Sequence, residues 1–179
     1  MKKPDFDREK FKDALHYVIA LAGARPNFGA VKLYKVLWFS DSKTYIRSGK
    51  PITGEQYIKL QHGPVPQHAK EIISELVQEG RITASKAAND YAHWKFKSLR
   101  PANSNRISAD ESETLRHWTK VIDLEHTAQS ISDETHEMYA WEIAKMYEPL
   151  PYFSFLADRF RDPTEEDFAR ARRRWGPRG

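Results

Sequence analysis

Residues 30–46 read AVKLYKVLWFSDSKTYI, and this segment determines the fold of the chain. Apolar side chains occupy so many of its positions that a helix formed here must bury most of its circumference. The segment therefore predicts a central core helix from about Ala30 to Ile46. Lys35 and Asp41 are the exceptions within it. They either pair with other elements in a polar layer or are solvated at the helix surface.

Helical spacing and capping residues predict further helices on both sides of this segment. In the helix predicted before residues 30–46, the helical spacing of apolar residues ends at Gly23 and Pro26. In the helix predicted after them, it ends at Gly80. Ser108 and Glu111 have the spacing of a capping box, which begins a helix. The predicted helices are about 6–22, about 66–79, one that begins after Ser108, one that runs from Ser130 or Ser132 to Tyr147, and one that begins at Thr164.

Alternating side chains predict three short strands. The first covers about residues 56–61 and ends at Gly63-Pro64, and the other two, about 81–85 and 91–99, form a hairpin. Because the strands are grouped between helices without a βαβ alternation, the predicted class is α+β. We expect a mainly helical chain with a small antiparallel β-sheet, made of the hairpin and one short strand. The middle of the chain has the element order of a winged helix.

Composition excludes several classes of protein. The chain has 179 residues, of which 40% are hydrophobic and 30% charged, so it is too apolar for a disordered chain and too polar for a membrane protein. It has no cysteine, which excludes disulfides, thiol catalysis and cysteine-bound metal. No segment approaches the ~20 apolar residues that span a bilayer, so we expect a cytoplasmic protein with no membrane partner.

The net charge of +4 comes from the C-terminal end of the chain. From Phe168 onward there are five arginines and no acidic residue, and the rest of the chain is close to neutral. A nucleic-acid-binding domain usually carries its basic surface on the folded face, so this distribution argues against one. Phe168, Arg172 and Trp175 instead predict an aromatic and basic helix, which either docks into an acidic groove of a partner or lies as a tail on the chain's own body.

Known catalytic and cofactor motifs do not fit the sequence. Gly49-Lys50 would need a glycine at position 44 to begin a phosphate-binding loop, and Thr44 stands there. His136-Glu137 would need a second histidine at position 140 to bind zinc, and Ala140 stands there. We therefore expect no enzyme and no catalytic, cofactor or metal site. The rival interpretation is a site formed only in space, with His136 as its general base.

Three segments in a fixed order carry a family resemblance. They are residues 32–41 (KLYKVLWFSD), residues 52–57 (ITGEQY) and residues 62–66 (HGPVP). Together they resemble the Panacea domain, the family of SocA-like antitoxins, and the similarity extends over about residues 10–147. Trp38 stands where tyrosine is usual in that family, and Thr135 stands where serine is common.

The resemblance implies an antitoxin of a bacterial or phage toxin–antitoxin pair of a type II-like kind. Such a protein neutralises a cognate protein toxin by direct binding, or acts as an adaptor that delivers the toxin to a protease. Neither role needs catalysis or a cofactor. We accordingly divide the chain into an antitoxin domain over residues 1–150 and a C-terminal extension over residues 151–179.

The segment 62–66 is the clearest local candidate for a partner contact. Its two prolines predict a rigid loop, and a rigid loop loses little entropy when a partner docks on it. With Tyr57 on the preceding strand, His62 and Pro64 are predicted to form either a structural corner or a partner contact. His136 is predicted in the first turn of its helix, where a hydrogen-bonding role is expected and a partner contact is a further possibility.

A winged-helix-like transcriptional regulator that binds DNA is the alternative function. In that interpretation the helix over residues 66–79 would enter the major groove. Glu71, Glu75 and Glu79 on that helix would face phosphates unfavourably. Nucleic-acid binding would therefore depend on Lys95, Lys97 and the C-terminal arginines.

Overall fold

A computed structural model describes residues 5–86 and 94–155, together with residues 165 and 169. The α+β class is confirmed, since the chain is mainly helical and its strands form two small antiparallel sheets. No helix within these residues is long and apolar enough to cross a bilayer. The elements in chain order are α1 (Arg8–Ala22), α2 (Ala30–Ser48), β1 (Tyr57–Leu60), β2 (Gly63–Pro66), α3 (Ala69–Gln78), β3 (Ile82–Lys86), β4 (Trp94–Ser98), α4 (Ala109–Glu125), α5 (Ala128–His136), α6 (Tyr139–Ile143) and β5 (Pro149–Leu150).

The first sheet has three strands in the order β2-β1-β5. Strand β1 pairs antiparallel with β2, which places Tyr57 opposite Pro66, and with β5, which places Tyr57 opposite Leu150. Strands β3 and β4 form the predicted hairpin as a separate two-stranded sheet. The middle of the chain therefore runs helix, hairpin, helix, hairpin, with a hairpin where the sequence predicted a single strand.

Two predictions about the first sheet are wrong. Residues 63–66 form strand β2 and not a rigid loop, and Pro149–Leu150 forms strand β5 where the sequence predicted only a break. Proline has no N–H group to donate to a neighbouring strand, so within sheets it is found mainly on edge strands. Both β2 and β5 lie at the edges of their sheet, which is why they can contain prolines.

The predicted helix that begins at Ser130 or Ser132 has the wrong boundaries. α5 begins at Ala128, because the Thr127 hydroxyl accepts a hydrogen bond from the Ser130 N–H in a capping box. The helix ends before α6 begins, so the predicted single helix is two. His136 is consequently the last residue of α5, and its prediction in a first turn is wrong. The predicted helix from Thr164 lies almost wholly outside the described residues.

α2 forms the centre of the core and packs against α1, α4, α5 and β2. Trp38 on this helix is fully buried, and its ring contacts those of Tyr57, Tyr152 and Phe155 at centroid distances of 4.9, 6.2 and 5.4 Å. Burying one large apolar side chain stabilises a fold by roughly 1.5–3 kcal/mol. Tyr152 and Phe155 show that core packing continues past residue 150, the predicted end of the main domain.

Gly54 fixes the connection between α2 and β1. Its φ angle is +71°, in the left-handed region that glycine adopts without steric cost. A Cβ atom at Gly54 would lie closer to the Asp5 carbonyl oxygen than van der Waals contact allows. The neighbouring Thr53 carbonyl accepts a hydrogen bond from the Asp7 N–H at 2.9 Å, which joins the turn to the beginning of α1.

Replacing Gly54 with alanine is expected to lower the free energy of unfolding by about 2 kcal/mol, because backbone strain adds to the collision with Asp5. Gly49→Ala is the matched control, since Gly49 has a φ of +75° but a Cβ atom added there would meet nothing within 4 Å. Gly49→Ala should lower the free energy of unfolding by only about 1 kcal/mol. Urea denaturation measures both losses, and equal losses would show that the contact with Asp5 has no energetic role.

Candidate partner-binding site

A buried polar layer joins α2 to the first sheet. The Asp41 carboxylate, in a residue that is 1% exposed, accepts hydrogen bonds from the Thr53 N–H at 2.8 Å, the Thr53 hydroxyl at 2.6 Å and the Tyr57 hydroxyl at 2.8 Å. Burial raises the pKa of Asp41 to about 6, while these hydrogen bonds act in the opposite direction. Asp41 therefore pairs with other elements, which is the first of the two alternatives stated for it.

Glu55 forms the second part of this layer. Its carboxylate accepts a hydrogen bond from the Gln56 N–H at 2.6 Å and lies 2.9 Å from Nδ1 of His68, whose ring stacks on Phe6. The Tyr152 hydroxyl donates to the backbone carbonyl of Glu55. Burial raises the pKa of Glu55. These contacts hold the beginning of α3 and the segment after β5 against the same turn.

Two lysines of α2 are buried. The Lys35 ammonium donates to the His62 carbonyl at 2.5 Å and, among the described residues, has no carboxylate within ion-pair distance. Burial lowers the pKa of Lys35 to about 7. Lys32 differs, because its ammonium donates to the Asp123 carbonyl at 3.1 Å and lies 3.9 Å from the carboxylate of the same residue. Lys35 thus contacts another element through a carbonyl group and not through an opposite charge.

Two neighbouring cavities lie beside these lysines and share Val31 and His62. The first has a volume of about 360 Å³ and is called the Lys35 cavity. The second, of about 700 Å³, is lined by Lys32, Asp123 and the N-terminal turn of α5, and is called the Lys32 cavity. The Lys35 cavity is lined by Ala30, Val31, Tyr34, Lys35, Leu60, Gln61, His62, Val65, Met146 and Tyr147.

The rim of the Lys35 cavity exposes large apolar side chains. Tyr147 is 74% exposed, and Met146 and the nearby Ile143 are also exposed. The φ angle of Tyr147 is +69°, which is rare for a bulky residue. Its N–H donates to the Lys59 carbonyl at 2.9 Å, and this bond to strand β1 holds the unusual backbone in place. An exposed ring on a strained backbone is typical of a functional surface.

Lys59 and His136 position the segment that carries this rim. The Lys59 ammonium donates to the carbonyls of Trp141 at 2.5 Å and Ala144 at 2.9 Å, at the end of α6. The Trp141 ring lies below the same ammonium and stacks on His136, with ring centroids 4.3 Å apart. Burial and the neighbouring Lys35 charge lower the pKa of His136. Both basic side chains therefore fix the chain just before Tyr147.

The predicted contact residues lie in different environments. His62 is exposed at the turn between β1 and β2 and lines both cavities. Tyr57 and Pro64 are buried, so they shape the corner without reaching the surface. His136 is half-buried, and its Nε2 atom lies 3.5 Å from the hydroxyl of Ser132. The structure therefore brings His62 to the candidate surface and places the other three behind it.

Most residues of the cavity rim were missed by sequence reasoning. Lys35 carried a signal, because it is a cation inside an otherwise apolar helical pattern. Met146 and Tyr147 carried none, since the left-handed backbone at Tyr147 depends on a bond to β1 and not on a glycine. Three predicted contact residues lie outside the described part of the chain: Phe168, Arg172 and Trp175. Their contact role stays a prediction.

The acidic residues of α3 are paired with α1. Arg8 contacts Glu75 and donates to Glu71 at 2.7 Å, and Lys12 donates to Glu79 at 2.9 Å. The Arg8 guanidinium lowers the pKa of Glu75 to about 2. On α3 and its C-cap the carboxylates of Glu71, Glu75 and Glu79 outnumber the single cation, Lys70, which is unfavourable for contact with a DNA backbone. The geometry therefore gives no support to α3 as a recognition helix.

The chemistry available at this surface is that of recognition. The lining of the Lys35 cavity combines apolar side chains with the exposed His62 and the buried Lys35, and a largely apolar surface of this kind binds a partner by contact. The carboxylates of Asp41 and Glu55 accept hydrogen bonds from protein donors and line neither cavity. Within residues 5–86 and 94–155, no group of three His, Cys, Asp or Glu side chains lies close enough to hold a metal ion.

Comparison with protein-family models gives a match over residues 33–142 to the family described as antitoxin SocA-like, Panacea domain. The matched region covers more than half of the chain and contains Lys35, the buried polar layer up to His68, and the β1–β2 hairpin. Searches of curated proteins and of solved structures return no match. The chain therefore belongs to the SocA-like antitoxin family of Panacea domains.

Proposed function

We propose that this chain is the antitoxin of a bacterial or phage toxin–antitoxin pair and that it neutralises a cognate protein toxin by binding it directly. The family match over residues 33–142 is the observation that carries the proposal. Such a role requires a surface that binds a protein and requires no catalysis. The complex would form in the cytoplasm, where both products of the gene pair are made.

The surface around His62 supports direct binding. The polar layer of Asp41 and Glu55 fixes the turn before β1, and Lys59 fixes the segment before Tyr147. These are contacts between different elements, so the exposed rim is preformed before a partner arrives. A preformed surface loses little conformational entropy on binding, which favours a stable complex.

The test is a growth assay in a heterologous bacterium with the gene adjacent to that of this chain. Induction of the adjacent gene alone is expected to stop growth, and co-expression of this chain is expected to restore it. The Gly49→Ala variant is the matched control, because a Cβ atom added there would meet nothing within 4 Å, and it should restore growth equally well. Persistent toxicity on co-expression with the wild-type chain would contradict the proposed function.

Co-purification then separates the two modes of neutralisation. Recovery of the adjacent gene product on an affinity-tagged copy of this chain, at unchanged cellular abundance, is the result expected for direct binding. Loss of the adjacent gene product from the cell, reversed by deleting a host protease, would indicate delivery to that protease and would overturn direct sequestration.

A further inference from the structure

We propose that the apolar rim of the Lys35 cavity, formed by Ile143, Met146 and Tyr147, binds a segment of the toxin in which Lys or Arg lies next to a large apolar side chain. The identity of the partner rests on the proposed function, whereas the chemistry rests on the surface itself. The apolar side chain of the partner would enter the cavity, and its cation would meet carboxylates beside the rim.

The rim offers apolar surface to a partner. Ile143, Met146 and Tyr147 are 64%, 46% and 74% exposed and lie close together in the chain. Large apolar side chains that are exposed together, beside a cavity, are typical of an interaction site. Lys59 holds this segment through the Tyr147 N–H and through the carbonyls at the end of α6. The rim is therefore formed before a partner arrives.

The cavity beside the rim suits an uncharged side chain. Its walls include Tyr34 and Leu60, and its volume of about 360 Å³ lies in the range of pockets that hold a ligand. The ammonium of Lys35 lies against Gly63 and near Thr135, neither of which lines the cavity. Lys35 therefore presents its hydrocarbon chain to the cavity, and the interior offers contact and not charge.

Charge outside the cavity determines the chemistry of the partner. Residues 123–148 contain seven acidic residues and a single lysine or arginine, Lys145. Glu142 directly precedes Ile143, Glu148 directly follows Tyr147, and both glutamates are exposed. Among the described residues neither carboxylate is paired with a lysine or arginine, whereas the acidic residues of α3 are paired with α1. A basic segment complements this surface, and an acidic segment or a nucleic acid would be repelled.

The position of the chain end separates a partner from the chain's own C-terminal segment as occupant. That segment is also basic, with five arginines from Phe168 onward. It follows Phe155, whose ring packs on Phe39 and lies beneath the Lys43 ammonium. Lys43 lines a groove between α2 and α4, and none of these three residues lines the Lys35 cavity. The C-terminal segment therefore begins beside a different groove, which favours a partner at the rim.

The test selects peptides from a random-sequence display library on the purified full-length chain. Selected peptides are expected to combine Lys or Arg with an adjacent aromatic or aliphatic residue. A synthetic copy of the most enriched peptide is then titrated, at low and at physiological ionic strength, against the wild type and three variants. Tyr147→Asn removes the exposed ring, and Glu142→Lys reverses a charge beside the rim. Glu113→Lys is the matched control, an equal charge reversal at an exposed residue of α4 outside the Lys35 cavity.

Tyr147→Asn is expected to weaken peptide binding about tenfold, because aromatic side chains at the centre of an interface dominate binding. Glu142→Lys is expected to weaken it several-fold and to reduce the dependence of the affinity on salt, with a clearly smaller effect for Glu113→Lys. Asparagine tolerates a left-handed backbone better than tyrosine, so Tyr147→Asn should keep the fold. Melting temperatures of all variants are compared with the wild type. Under conditions where each variant is folded, unchanged affinity for Tyr147→Asn would overturn the proposal.

Other outcomes would also overturn it. Selection of acidic peptides would contradict the charge of the partner, and equal weakening by Glu142→Lys and Glu113→Lys would reduce the interaction to net charge. Tighter peptide binding by full-length Trp175→Ala would indicate the C-terminal segment as occupant, and self-association abolished by Tyr147→Asn would indicate a second copy of the chain. Failure to select any peptide that Tyr147→Asn weakens would count against the rim as a docking site. Peptide selection as expected, with no rescue in the growth assay, would leave this inference standing and reject the antitoxin function.

Discussion

Replacing Asp41 with alanine is expected to lower the free energy of unfolding by about 3–5 kcal/mol. The variant leaves three buried donors without their acceptor, namely the Thr53 N–H, the Thr53 hydroxyl and the Tyr57 hydroxyl. Each buried donor that loses its partner costs about 1–3 kcal/mol, and removing a buried charge offsets part of the sum. The loss is large because these bonds join α2, the turn and β1.

Urea denaturation at pH 7 measures this loss, with Ser42→Ala as the matched control. Ser42 is the next residue on the same helix and is also fully buried, but its hydroxyl has no hydrogen-bond partner among the described residues. Its removal should change the free energy of unfolding by less than about 1 kcal/mol. If Asp41→Ala and Ser42→Ala lowered the free energy of unfolding by the same small amount, the hydrogen bonds of Asp41 would not be what holds α2 to the first sheet.

The stability of the protein is expected to rise with pH between about 7 and 9.5 because of Lys35. Burial lowers the pKa of Lys35 to about 7 in the folded chain, whereas in the unfolded chain the pKa is near the ordinary value of about 10.4. Within this window the unfolded chain therefore binds a proton that the folded chain does not. Stability then increases with pH, at most by about 1.4 kcal/mol per pH unit.

The measurement compares urea denaturation of the wild type and Lys35→Met at pH 7 and pH 9.5. Between pH 7 and pH 9.5, the free energy of unfolding of the wild type is expected to rise by about 2–3 kcal/mol more than that of Lys35→Met, because methionine binds no proton. His136 interacts electrostatically with Lys35, and burial lowers the pKa of His136 from its ordinary value, away from this pH window. If the free energy of unfolding changed equally with pH in the two proteins, Lys35 would be protonated to the same extent in the folded and the unfolded chain.

Helical periodicity predicted α1 to α4 close to their observed bounds but not the division between α5 and α6, and two strands that contain proline were not predicted. α2 was predicted within two residues because nearly all of its apolar positions are buried. Strands β2 and β5 were missed because each contains proline, which normally argues against a strand and is tolerated here at the sheet edges. The beginning of α5 was misplaced because three neighbouring residues can each cap a helix, and only the capping box at Thr127 forms.

Sequence reasoning predicted part of the candidate site: His62 from the proline-containing segment 62–66, and two buried residues because each is polar in an otherwise apolar pattern. Lys35 and Asp41 were identifiable as polar residues in an apolar helix, and both lie at contacts between elements. Tyr147 could not be identified, because its backbone is held by a hydrogen bond to Lys59 of β1, a strand that lies far from it in the sequence. Long-range pairing of this kind leaves no local pattern in the sequence.

The most direct test of the antitoxin function is a binding measurement with purified components. The purified chain is titrated with the purified product of the adjacent gene by isothermal titration calorimetry. A saturable complex of fixed stoichiometry, formed without protease or nucleic acid, is the predicted result. Absence of binding heat, with both proteins still eluting separately in size-exclusion chromatography, would contradict neutralisation by direct binding.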